Sequence, residues 1–160
     1  MRLMSVLCLL LGFVCHVQAD ELHIVFNGKA IHLDDGDYNE ENWGLGVEYD
    51  WTPRKNWVKF FNASYFKDSN SQTSRYVGGG LKKRYHLEKD EDGWRVDAGL
   101  IAFLMTRKDY KDNDPFPGVL PFVTVANGPV SMNVTYIPEV SPKHKDLLYF
   151  QFMFRIKTFD

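Results

Sequence analysis

The sequence predicts an all-β protein: an eight-stranded antiparallel up-and-down transmembrane β-barrel. Three observations carry this expectation. After Ala19 no apolar run is long enough for a membrane-spanning helix, yet aromatic residues make up 15% of the chain, an excess that favours strands. From Glu21 onward the chain divides into eight segments of about ten residues with alternating apolar and polar side chains. The connections between them alternate between long polar loops and short turns, as the two ends of a membrane barrel do.

The N-terminus reads as a leader. Met1-Arg2, an apolar run from Leu3 to Val17 and the exit Val17-Gln18-Ala19 match the charge, core and small-residue cleavage site of a secretory signal peptide, residues 1–19. Residues 20–160 are then a single barrel domain. A lipid-attachment site at Cys15 is disfavoured, because the preceding Gly12-Phe13-Val14 is bulky. Both cysteines, Cys8 and Cys15, fall in the leader, so the mature chain has no disulfide, thiolate nucleophile or cysteine metal site. The formal net charge of −2 gives no reason to expect a nucleic acid partner.

The eight segments are 21–32, 42–51, 56–66, 75–86, 94–107, 119–127, 129–138 and 147–158. The stretches 33–41, 67–74, 108–118 and 139–146 are long and polar; Thr52 to Lys55 and Asn127-Gly128 are short, and 87–93 is intermediate. Period-two alternation assigns the faces. Trp43, Leu45, Val47, Tyr49 and Trp51 share the outer face of the second segment against Gly44, Gly46, Glu48 and Asp50. In the third, Trp57, Phe61, Ala63 and Tyr65 point outward, with Lys59 near the interface where its ammonium can snorkel. In the fifth, Trp94, Val96, Ala98, Leu100, Ala102 and Leu104 oppose Arg95, Asp97, Gly99, Ile101, Phe103 and Met105. In the last, Leu148, Phe150, Phe152, Phe154 and Ile156 oppose Tyr149, Gln151, Met153, Arg155 and Lys157. A soluble lipocalin-like barrel also has eight strands, but its exterior is mostly polar; these apolar outer rows argue against it.

Ordered by depth, the inward face changes character. Toward the short turns it carries Glu48, Asp50, Lys82, Arg84, Arg95, Asp97, Arg155 and Lys157, opposite charges that neutralise one another in a narrow lumen as a polar plug. Toward the long loops it becomes Gly44, Gly46, Tyr76, Gly78, Gly80, Ile101, Phe103, Met105, Leu120 and Phe122. Two readings of that half stand side by side: an apolar well left hollow by the glycines and suited to an acyl chain, or bulky residues filling the space the glycines leave. From Thr73 to Gly80 at ~3.3 Å per residue, the strand descends on the order of 17 Å after tilt.

With these residues placed, the chain resembles the outer-membrane lipid A palmitoyltransferase family, PagP, from about Tyr38 to Met153. The elements that carry the resemblance are Tyr38-Asn39-Glu40 with Trp43-Gly44, Phe66-Lys67-Asp68-Ser69, Gly78-x-Gly80, and Pro115-x-Pro117 with Leu120-Pro121. Gly128-Pro129-Val130, Thr135-Tyr136-Ile137-Pro138 and Tyr149-Phe150 follow in order. The resemblance implies a monomeric barrel in the bacterial outer membrane, without cofactor or metal. It would move a palmitoyl group from a glycerophospholipid donor to a hydroxyl-bearing chain of a lipid A acceptor. It also implies catalytic roles for His32, Asp68 and Ser69, an acyl pocket floored at Gly80 with Gly78, Tyr76, Phe103 and Met105 around it, and lateral openings beside Pro121 and Pro138.

Elementary chemistry stands beside these implications. Acyl transfer needs a base and donors for the oxyanion, and imidazole titrates near neutral pH. His32 is a candidate base. Ser69 is either a nucleophile or a hydrogen-bonding group, and Asp68 orients either His32 or the substrate. Alternation extended to His32 points it outward; His23 is the other histidine of the first segment but belongs near the short-turn end. Asp68-Ser69 also lies in Lys67 to Ser74, whose small polar residues are ordinary turn formers. Proline lacks the N–H of a ladder bond, so Pro121 and Pro138 either leave gaps between strands or merely end them. A non-catalytic lipid-binding or structural barrel, and a lipid A hydrolase, are the competing functions.

Overall fold

Eight strands close on themselves in sequence order, each antiparallel to its neighbours, in a computed structural model that describes residues 18–34, 36–54, 56–90, 92–139 and 146–159. The strands are β1 (Gln18–His32), β2 (Glu41–Arg54), β3 (Trp57–Lys67), β4 (Thr73–His86), β5 (Arg95–Thr106), β6 (Phe116–Asn127), β7 (Val130–Ile137) and β8 (Leu147–Phe159). β1 pairs with β8 along its length, from Asp20↔Phe159 to His32↔Leu147, and this seam removes the open edge. The leader assigned to residues 1–19 lies outside the described residues except for Gln18 and Ala19, which begin β1.

The faces follow the alternation. Leu45, Val47, Phe61, Val77, Leu81, Leu100, Leu104, Val123, Phe152 and Phe154 are exposed on the outer wall. Trp57, Tyr85 and Trp94 stand toward the short turns, and Trp43, Tyr65 and Tyr136 toward the long loops. An apolar band flanked by two aromatic girdles is the exterior of a membrane barrel and not of a lipocalin. At the tight β6–β7 connection Gly128 takes φ +56°, a left-handed conformation that suits glycine, and its N–H donates to the Asp92 carbonyl at 2.7 Å.

Below the middle of the barrel the lumen is filled by charge. Lys82, 2% exposed, places Nζ 2.8 Å from both Glu48 Oε1 and Asp50 Oδ2. Arg84 spans Asp97 at 3.1 Å, Glu21 at 3.2 Å and Asp50 at 3.3 Å, while Arg95 and Arg155 hold Glu21 at 3.4 and 2.7 Å. Four carboxylates thus meet four cations, which is what allows eight ionic groups into a largely buried space. One residue differs from the sequence reading. Lys157 is exposed, with Nζ 4.5 Å from the Phe159 ring, because β8 slips by one residue against β1 below Arg155. Glu21 and His23, which the list of plug residues left out, take inward places as well.

Candidate active site

The residue that alternation sends to the lipid side comes inward through a bulge. On β1, Glu21, His23, Val25 and Asn27 face the lumen, and the ladders to β2 and β8 both shift between Asn27 and Lys29. Against β8 the extra residue is Gly28, beneath the outer ring of Phe152, whereas against β2 it lies on β2 between Gly44 and Glu41; beyond this point Ala30 and His32 occupy the inward row. His32 then stacks on Tyr38 with centroids 4.0 Å apart and planes 18° from parallel. Its Nε2 stands 3.1 Å from Ser69 Oγ. The bulge, not the strand's alternation, is what brings these two loops' functional groups into hydrogen-bond range.

Asp68 is placed differently from a triad carboxylate. Its Oδ1 accepts the backbone N–H groups of Asn70 and Gln72, both at 3.0 Å, and its Oδ2 accepts the Ser74 hydroxyl at 2.8 Å. The carboxylate is 2% exposed and closes the 68–74 turn on itself, which sets the position of the adjacent Ser69. His32 Nδ1 is buried without a hydrogen-bond partner, so the imidazole is oriented by the Tyr38 ring and by Ser69. The arrangement is a Ser–His pair on a carboxylate-organised turn. Arg107 completes the mouth: its Nε lies 3.9 Å from Asp68 Oδ2, and its guanidinium grips Asp109, which accepts from Asn70 at 2.7 Å.

Beneath this pair lies a cavity of about 560 Å³. Tyr76, Phe103 and Met105 line it, and Ile101, Leu120 and Phe122 continue the apolar wall across β5 and β6. Gly78 and Gly80 do not line it. A Cβ on Gly80 would lie 2.0 Å from the Leu100 carbonyl oxygen and 2.8 Å from the Phe60 ring. That ring fills the space the glycine leaves and packs edge-on against Phe122 at 5.3 Å, so the two phenylalanines are the floor. The well is apolar on one side only. Asn133, Thr135, Gln151, Asn62 and Glu48 line the other, residues whose inward places on β2, β3, β7 and β8 the apolar reading of this half did not weigh.

The wall is incomplete at one place among the described strand pairs. β6 and β7 are laddered from Asn127↔Val130 only up to Phe122↔Thr135, while Phe116 to Pro121 pair with β5 alone. Pro121 sits where that ladder stops, and Pro138 follows the end of β7 and lines the cavity. Val119, 65% exposed on the outer wall, also lines the cavity, so the well reaches the lipid face here.

Fold and site together define a membrane-type β-barrel with a Ser–His pair over a lumenal well. The family model described as "Antimicrobial peptide resistance and lipid A acylation protein PagP" matches residues 24–153. The chain is 33% identical over 118 residues to the lipid A acyltransferase PagP of Laribacter hongkongensis, covering 72% of this chain and 55% of that one. It is 32% identical over 102 residues to that of Salmonella typhi, covering 63% and 52%, and 33% identical over 102 residues to that of Shigella boydii serotype 4, covering 63% and 53%. The chain belongs to the PagP family. It spans about half the length of these curated relatives.

Proposed function

We propose that this barrel is an outer-membrane acyltransferase, exported by the leader at 1–19, that moves a palmitoyl or similar long acyl chain from a glycerophospholipid to a hydroxyl of lipid A. The observation that carries this reading is the 3.1 Å contact between His32 Nε2 and Ser69 Oγ at the mouth of the well, in a barrel of the PagP family. The donor chain enters from the membrane through the unladdered gap between Pro121 and Pro138 and lies in the well, which brings its ester to the mouth. His32 Nε2 takes the proton of the acceptor hydroxyl as its oxygen bonds to the ester carbon. The Ser69 hydroxyl and the Arg107 guanidinium stand at that mouth to meet the oxyanion. Its collapse breaks the bond to glycerol, and the leaving oxygen takes the proton back, releasing a lysophospholipid. The barrel has no open edge and needs no partner strand, which fits a monomer.

Mass spectrometry of lipid A from Gram-negative cells with and without the protein tests this reading. A gain of one acyl chain is expected. Free fatty acid with unchanged lipid A would make it a hydrolase, and unchanged lipids beside a well-assembled barrel would make it a binding or structural protein.

The floor supplies a second prediction. Phe60→Ala removes the ring that closes the well and is expected to extend the accepted donor chain, read as a shift to longer acyl groups on lipid A. The truncation also costs about 3–5 kcal/mol of barrel stability. A larger residue at Gly80 is a poorer probe of length, because it must displace the Leu100 backbone as well as the Phe60 ring.

A further inference from the structure

At its loop end the lipid-facing wall carries charge unevenly. β6 and β7 have no charged residue, and the two of β5, Arg95 and Asp97, are buried in the plug. On β1 and β2 the charges are answered: Lys29 meets Glu40 at 3.4 Å, and the Glu41 carboxylate lies 3.5 Å from the Trp43 indole nitrogen. β3 and β4 differ. Their outer rows end in Lys67 and Arg75, both exposed. Register sets Lys67 opposite Thr73 and Tyr65 opposite Arg75, so the two cations are diagonal neighbours on one face, about 7–8 Å apart. Lys67 Nζ donates to the Thr73 hydroxyl at 3.1 Å, and neither cation meets a carboxylate among the described residues.

Like charges side by side at the edge of a hydrocarbon layer repel each other, and an anion that bridges them relieves the repulsion. Below them the outer wall dips into a groove lined by Leu45, Ala63, Val77 and Leu104, with Trp43 and Tyr65 at its upper rim. Cations above an apolar trough are complementary to a lipid whose chains hang from a phosphorylated head. A phosphate monoester on a sugar carries about −1.5 to −2 charge at neutral pH, which matches two cations better than the single charge of a glycerophospholipid's diester. Lys67 directly precedes Asp68 and Ser69, so a head held there stands at the rim beside the Ser69–His32 pair. The gap between β6 and β7 opens further round the barrel, on the uncharged side. We infer that the outer face of β3 and β4 docks the acceptor, a phosphorylated glycolipid of the outer leaflet, with Lys67 and Arg75 on its phosphate and the groove on its chains. This rests on the acyl-transfer reading and gives the acceptor a surface separate from the donor's gap.

The test titrates the full chain in detergent with lipid A, either phosphorylated or enzymatically dephosphorylated, and reads bound lipid by native mass spectrometry. The unaltered barrel is expected to bind the phosphorylated form about tenfold more tightly. Lys67→Gln with Arg75→Gln should remove that preference and leave binding of the dephosphorylated form unchanged. Lys59→Gln with Lys83→Gln is the control for net charge: both residues lie on the same two outer rows at the short-turn end, where Lys83 Nζ stands 5.8 Å from the Trp57 ring and 5.3 Å from that of Tyr85. That pair should keep the preference. In vesicles with a glycerophospholipid donor, the Lys67 and Arg75 variant should raise KM for lipid A about tenfold with little change in kcat or in KM for the donor. Equal binding of the two lipid A forms by the unaltered barrel would overturn the inference without calling on any variant. So would an equal loss from the control pair, or a loss that is the same with and without phosphates. Phosphate-dependent binding without transfer would uphold the docking surface and overturn acyl transfer alone.

Discussion

His32→Ala and Ser69→Ala, each in an assembled barrel, are expected to lower acyl transfer to lipid A by about 10²–10⁴-fold. The expectation follows from geometry: Nε2 and Oγ meet at 3.1 Å above the lumenal cavity, and His32 Nδ1 has no hydrogen-bond partner. Neither side chain belongs to the charged plug, so the denaturation midpoint of each variant should stay near the original. Deleting Gly28 is the sharper arm of the same prediction. It removes the residue that β1 carries in excess against β8, returns His32 to the outward row and should lower acyl transfer as fully as His32→Ala while leaving both side chains in the sequence. Asp68→Ala should behave otherwise, since that carboxylate closes the 68–74 turn; loss of activity there should come with faster hydrogen exchange at the Asn70 and Gln72 amides. Transfer that survives His32→Ala in folded protein would remove the imidazole from the mechanism.

Lys82→Met is expected to destabilise the barrel by about 3–5 kcal/mol, measured by reversible denaturant unfolding in detergent or vesicles. The ammonium is 2% exposed and within 2.8 Å of both Glu48 and Asp50, so its loss leaves two carboxylates facing each other without their main counter-ion. Arg84 reaches Asp50 at 3.3 Å but is already held by Asp97 and Glu21. Adding Glu48→Gln and Asp50→Asn to Lys82→Met should recover most of the loss, because a neutral polar cluster no longer needs the cation. An unchanged midpoint for the single variant would mean that water enters the plug and screens it.

The wall of the barrel was legible because its signal is local. Trp43 to Trp51 alternates on its own strand and needs no partner to declare its faces, and the same holds for Leu148 to Ile156. Asp68-Ser69 was legible as a pair for a similar reason, standing where an outward-aromatic strand breaks into small polar residues. Tyr38 was visible only as part of a motif; that its ring carries His32 depends on the first loop folding back over β1. Phe60 was an inward residue by alternation, but its role as floor arises from its packing on Gly80 and Phe122, which are 20 and 62 positions away.

By itself, then, the sequence determined the strand count, the two faces, the charged half of the lumen and the loop that carries Ser69. Each follows from period-two alternation and turn chemistry within a few residues. Tertiary structure alone decided that His32 points inward, that Asp68 organises a turn and not the imidazole, that the well is polar on one side, and that the wall stops short between β6 and β7. Those properties depend on register between strands and on pairs as distant in sequence as Asn27 and Tyr149, where a one-residue bulge moves a side chain from lipid to lumen without altering the local pattern.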